Sequence, residues 1–235
     1  MSNHPPGSHL HATKPSSFFW LMVFGVSMGY FEAAVVVDLR QIFCPGGNLF
    51  PIQIEINQLG IVELGREFFS LVMLASVAVL AGRNRLQRLG HFLALFAVWD
   101  VFYYVFLKLL IGWPESLMTW DLLFMLPVPW IGPVLAPVIV SATIFVLGRL
   151  LVRIGARGIS LHRGAWWLSG GCVAGLVLVI SFCWDCQHIM KGGLPRSFPW
   201  GIFAIGELMF IAVIAGFAWT HRSLKMGAVG KEGAN

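Results

Sequence analysis

Six stretches of this chain, roughly 17–38, 60–81, 89–111, 129–151, 165–184 and 200–220, stay apolar long enough to cross a bilayer. A helix needs about 20 such residues to span the hydrocarbon core. A transmembrane β-barrel would instead show segments of ~10 residues alternating apolar and polar. Runs such as Leu71-Val72-Met73-Leu74-Ala75-Ser76-Val77-Ala78-Val79-Leu80 are apolar on every face. The expected fold is therefore all-α, a polytopic transmembrane helical bundle of about six spans. Composition agrees, because only 11% of the residues are charged, against about 25% in a soluble domain. With 57% apolar residues and a mean hydropathy of +0.78, soluble and disordered classes are both excluded.

Basic residues orient the bundle. An even number of spans puts both termini on one side, together with the 82–90 and 148–164 loops. That side collects Lys14, Arg83, Arg85, Arg88, Arg149, Arg153, Arg157, Arg163, Arg222, Lys225 and Lys231. The opposite loops hold only Arg40, Lys191 and Arg196, and Arg66 and Lys108 lie within spans. The bias predicts cytoplasmic N- and C-termini. It also accounts for the net charge of +5 as a topology signal spread over short loops, so nucleic acid is not an expected partner. Tryptophan fits the same frame. Trp113, Trp120, Trp130, Trp184 and Trp200 fall at outer ends of spans, Trp20, Trp166, Trp167 and Trp219 at inner ends, and Trp99 at mid-depth.

The first span is too long for a signal-peptide core and contains Glu32. The tail before it, with His4, His9 and His11 among Pro and Gly, reads as solvated rather than metal-binding. The expected organisation is a disordered tail over 1–16, one membrane domain over 17–221 and a disordered tail over 222–235.

Charges inside spans carry the functional argument. Glu32, Glu63, Glu67, Asp100 and Glu207 fall within spans, as do Arg66 and Lys108. Several such groups facing lipid would oppose insertion by about 10 kcal/mol, so they should face the bundle interior or a wet cavity. By depth, the carboxylates of four helices lie in the outer half, which predicts an outward-facing polar pocket. Its expected members are Glu32, Glu63, Arg66, Glu67, Trp99, Asp100, Tyr104, Lys108 and Glu207. Five acids against two bases leave a surplus of negative charge, to be met by protonation, a bound cation or water. Glu63 and Glu67 share a helix face, with Arg66 beside them to pair with Glu67, Glu63 or Glu32. Asp100, Tyr104 and Lys108 follow one i, i+4 row, where a hydrogen-bonded row can form. A structural ion-pair cluster explains the same residues without any ligand. The Glu-x-x-His pairs of a di-iron bundle are absent.

Three further features stand out. Gly25/Gly29 and Gly171/Gly175 have the GxxxG spacing of close helix packing. Between Trp113 and Pro137 lie five prolines; Pro133 and Pro137 should kink the fourth span, and 115–126 reads as an interfacial or re-entrant helix. Cys183 and Cys186 form a CxxC at the outer end of span 5, with Cys44 in the first outer loop. A disulfide or free thiols, a redox pair, and a soft-metal site of Cys183, Cys186 and His188 with Cys44 are all compatible with that spacing.

The runs Phe96-Ala97-Val98-Trp99-Asp100-Val101-Phe102-Tyr103-Tyr104, Gly112-Trp113-Pro114-Glu115-Ser116-Leu117 and Trp130-Ile131-Gly132-Pro133-Val134-Leu135-Ala136-Pro137 resemble a family of uncharacterised bacterial multipass membrane proteins. Phe31-Glu32-Ala33-Ala34 and Glu63…Arg66-Glu67 add to the likeness, which covers about the first 140 residues. The resemblance implies a bacterial inner-membrane location and no particular chemistry or cofactor. Three functional classes follow: a proton- or cation-coupled transporter of a small solute, a membrane-embedded enzyme working by a metal or by thiol redox at Cys183/Cys186, and a non-catalytic subunit of a complex or oligomer. Nucleotide-binding loops and metalloprotease helix motifs are absent from the sequence.

Overall fold

The computed structural model describes residues 15–43, 49–51, 58–158 and 165–232. The histidines of the N-terminal tail, Lys14, Cys44 and Arg163 lie outside the described residues. The chain forms α1 (Pro15–Phe43), α2 (Gln58–Ala81), α3 (Arg85–Ile111), β1 (Trp120–Phe124), β2 (Trp130–Pro133), α4 (Leu135–Ala156), α5 (Ala165–Phe182), a short α6 (Cys186–Met190) and α7 (Trp200–Glu232). Six helices are long and apolar enough to cross a membrane, as the hydropathy pattern requires.

Helix α3 is the central post, packing on α4, α1 and α2, while α5 and α7 pair beside α4. Small residues set the closest approaches. A Cβ at Gly29 would lie 2.8 Å from the Phe102 Cβ, so the first GxxxG seats α1 against α3. A tighter crossing, not singled out from the sequence, joins Gly90 of α3 to Gly148 of α4. A Cβ on either would stand 2.6 Å from the other's carbonyl oxygen. The Gly171/Gly175 pair makes no such seam: a Cβ at Gly175 would meet nothing within 4 Å.

The two ends of the bundle differ in character. At one end, Asn84 caps α3 by accepting from Gln87 N at 2.9 Å and donates to the Gly155 carbonyl at 2.9 Å. There the 82–84 turn and the first turns of α3, which carry three arginines, meet the end of α4 and make this the arginine end of the bundle. At the other end α3 stops at Gly112, whose φ of 71° is the left-handed cap geometry glycine permits.

The segment after that cap departs from expectation. Instead of an interfacial helix over 115–126 and a kinked span from 129, the chain forms an antiparallel hairpin, with Trp120 paired to Pro133, Asp121 to Gly132, Leu122 to Ile131 and Phe124 to Trp130. An irregularity between Leu122 and Phe124 leaves Leu123 outside that register. The prolines are the physical reason. Pro127 and Pro129 lack N–H groups and disfavour helix in the residues before them, so the apolar run turns back on itself. Pro133 falls at the end of β2 and Pro137 in the first turn of α4, where a missing N–H is harmless.

The hairpin runs down α3 rather than across its end. Lys108 Nζ holds the Pro114 carbonyl at 2.8 Å, the Tyr104 hydroxyl meets Asp121, and the Phe124 ring stacks on Phe96 at 5.9 Å between centroids. Phe96 lies twelve positions before Lys108, so the segment from Pro114 to Phe124 descends about 18 Å along the helix, the last ~12 Å of it within the hairpin. It is a re-entrant element made of strands. Its aromatic side chains fill the bundle: Trp130 stacks on Phe182 at 6.2 Å, and Trp120 packs edge-on to Phe198. Trp120 and Trp130 therefore belong to the internal packing and not to an interfacial belt. Trp184, in the turn after α5, and Trp219, at the end of the apolar stretch of α7, are by contrast exposed. Helix α7 continues to Glu232, so the backbone over 222–232 is helical where the sequence reading expects a disordered tail. Leu224, Lys225, Met226 and Ala228 are all residues that favour helix.

Candidate functional site

Charged residues from α1, α2, α3 and the hairpin gather in the half of the bundle that the hairpin fills. On α2, Glu63 and Arg66 are three apart and Arg66 Nε donates to Glu63 Oε2 at 2.8 Å. The same guanidinium forms ion pairs with Glu63 and, across the helix interface, with Glu32 of α1. Of the three partners open to Arg66 in the sequence, the fold selects Glu63 and Glu32. The cation between these two carboxylates is the protein's own. Glu32 is buried, and its Oε2 has no hydrogen-bond partner.

Glu67 faces the hairpin instead. Both of its carboxylate oxygens accept from the Met125 backbone N–H, at 3.1 and 3.0 Å. That contact satisfies a backbone donor at the hairpin tip, where non-helical backbone inside a membrane needs a protein partner. Asp100 accepts from the Ser141 hydroxyl of α4 at 2.8 Å, and Glu207 of α7 accepts from the Thr143 hydroxyl. Glu67, Asp100 and Glu207 are thus held by neutral donors, with no ion pair to any of them among the described residues.

Asp121 is the member that sequence reasoning missed. It falls within the expected interfacial helix over 115–126, yet it is 2% exposed and central. It accepts from the Tyr104 hydroxyl at 3.1 Å and pairs with Arg40 Nη2 at 3.4 Å. The Arg40 guanidinium itself lies 3.6 Å over the Trp113 ring. Burial pushes the Asp121 carboxyl up to about 6, against the opposing pull of Arg40, the Tyr104 hydroxyl and the Leu122 backbone. Asp100 lies within range of the Asp121 charge. The available signal was a lone Asp in an apolar, proline-bounded run, matched by a lone Arg at the end of the first span.

The expected Asp100–Tyr104–Lys108 row does not bond along the helix. Each member reaches a different element: Asp100 to α4, Tyr104 to Asp121, and Lys108 to the carbonyls of Gly112 and Pro114. The i, i+4 spacing aligns them on one face, but the better donors and acceptors lie across the interface. Trp99 is buried against Phe96 and Phe124, with its indole Nε1 unpartnered. Glu207 shares no hydrogen bond or ion pair with another member of the group among the described residues. No three His, Cys, Asp or Glu side chains of the described residues group so as to hold a metal ion.

The thiols stand apart. Cys183 and Cys186 are free and partly buried on either side of the turn from α5 to α6, with Cys186 N bonded to the Cys183 carbonyl at 3.2 Å. Cys172, deep in the fifth span, lies on an exposed face of α5. Around the turn, His188 Nδ1 lies 2.8 Å from Arg196 Nη2, so its partner is an arginine and not a metal-binding thiol.

Six apolar helices around an internal set of ionisable side chains define a multipass helical membrane protein. The chain matches no protein-family model, no curated protein and no solved structure. The multipass architecture accordingly rests on the six apolar helices.

Proposed function

We propose that the protein sits in a bacterial inner membrane with both termini cytoplasmic, and that its hairpin-filled half opens outward as a site for proton-coupled transport of a small solute. The observation that carries this reading is the trio of carboxylates on α2, α3 and α7 held by neutral donors. A carboxylate in a low-dielectric interior without a cation is costly, and taking up a proton removes that cost. The Ser141 and Thr143 hydroxyls can donate to a carboxylate or accept from a carboxylic acid, so both contacts survive protonation. Glu32 and Glu63 share Arg66, which leaves the proton better supported than a metal cation as coupling ion. Interrupted, non-helical segments lined by charged residues are where transporters bind their substrates.

The alternatives draw less support. A metal-assisted enzyme lacks a grouped ligand set among the described residues, and there the Cys183/Cys186 pair makes no hydrogen bond to the charged network. A role as a subunit of a larger complex has no observation in its favour.

The test is solute-evoked current in proteoliposomes, recorded by solid-supported membrane electrophysiology. A panel of small organic acids, amines and amino acids is applied with and without an inward pH gradient. At least one solute should give a current that grows with the gradient and is lost in Glu67→Gln and Asp100→Asn. Full current in both variants overturns the proposal.

A further inference from the structure

The arginine end carries a second site, independent of the transport reading. The chain has no Asp or Glu between Glu67 and Asp100, between Asp121 and Asp185, or between Glu207 and Glu232. The bases at the start of α3, in the turn before it and at the end of α4 therefore lack carboxylates from their own segments. One of them is held in place. The Arg149 guanidinium of α4 lies 3.8 Å over the Phe18 ring of α1. Against the same ring, at 6.4 Å between centroids, packs His91 of α3. His91 is 1% exposed, and both its ring nitrogens are without a hydrogen-bond partner. It is close enough to Arg149 for their charges to interact. Arg153 stands one turn further along α4 and is exposed.

Three helices thus converge on a seam that offers a half-buried guanidinium, a second one beside it, and a buried imidazole with open nitrogens. A stacked guanidinium is pre-organised for an oxyanion, since its planar fork matches two oxygens at once. An imidazole nitrogen needs a hydrogen-bond partner when buried. A tetrahedral phosphate serves all three, because it has enough oxygens for two arginines and an imidazole. The apolar flank of the seam favours a lipid as the source: Phe19 and Trp20, next to Phe18 on α1, are exposed as a continuous aromatic surface.

We propose that the seam between α1, α3 and α4 at the arginine end binds a phosphate group, that of an anionic phospholipid. Arg149 and Arg153 are its charged ligands, His91 the donor at the closed end of the seam, and Phe18 the platform that fixes Arg149.

The test uses the full chain in detergent micelles doped with phosphatidylglycerol or phosphatidylcholine, with bound lipid counted by native mass spectrometry. The wild type should retain phosphatidylglycerol in preference to phosphatidylcholine. Each of Arg149→Gln and Arg153→Gln should weaken that retention about fivefold or more, the scale of one basic contact to an anionic membrane. Arg85→Gln, at the first residue of α3, should change it less than about twofold on the same scale. Arg153 is exposed, so its variant reports even if Arg149→Gln does not fold. Equal losses in all three variants would mean a diffuse charge effect and would overturn the site, as would equal retention of the two lipids. Inorganic phosphate is the second arm. If it stabilises the protein in phosphatidylcholine micelles in an Arg149-dependent way without lipid preference, the phosphate chemistry stands and the lipid assignment falls.

Discussion

Replacing Asp121 by Asn tests whether burial or ion pairing governs the centre of the charged network. The carboxyl is 2% exposed and titrates near 6 in place of its ordinary 3.8. That displacement corresponds to about 3 kcal/mol of differential stability between its two protonation states. The sign follows from the direction. A carboxyl raised on folding binds its proton more tightly in the native state, so native stability falls as pH rises from about 4 through about 6. The Asn variant has no such titration. Arg40 lacks its Asp121 anionic partner both in the variant and in acidified wild type. The stability difference, variant minus wild type, should therefore climb by about 3 kcal/mol between pH 4 and pH 7, whatever its starting value. For a chain of this size that is about 6–12 °C in Tm. Intrinsic tryptophan fluorescence during thermal unfolding in detergent, at closely spaced pH values, measures it directly. A flat difference would refute the reasoning. A difference that falls with pH would show that the Arg40 pair, and not desolvation, dominates at Asp121.

Arg66→Gln should be more damaging, because it leaves Glu32 and Glu63 without their shared cation. Breaking a buried pair from one side costs about 3–5 kcal/mol, and the double variant Arg66→Gln with Glu32→Gln should recover part of that in a thermal double-mutant cycle. Gly90→Leu should abolish a monodisperse folded species in size-exclusion chromatography, since its Cβ would meet the Gly148 carbonyl, whereas Gly175→Leu should elute as wild type. A C-terminal green fluorescent protein fusion should fluoresce in cells and an alkaline phosphatase fusion at the same site should be inactive; the reverse outcome would invert the proposed orientation.

Sequence alone determined that this chain crosses a membrane, about how many times, and which residues are too polar to face lipid. Those properties are sums over local segments: the transfer cost of Glu32 or Asp100 does not depend on knowing its neighbours in space. It also located Arg66 beside Glu63 and the Gly25/Gly29 contact face, both set by helical spacing. Tertiary structure decided the rest, because the decisive partners are distant in the chain. Nothing local pairs Asp121 with Arg40, 81 residues away, or Asp100 with Ser141, 41 residues away. The segment from Trp120 to Pro133 illustrates the limit most clearly. Its apolar content reads equally as the start of a span or as buried strand, and its prolines only forbid a straight helix. What makes it a hairpin is the ladder between β1 and β2, with Phe124 seated on Phe96 and Trp99 of α3 and Trp130 on Phe182 of α5. Once seated there, it carries Asp121 to Tyr104 and the Met125 N–H to Glu67, while Asp100 and Glu207 take their donors from α4 and Glu32 and Glu63 share Arg66.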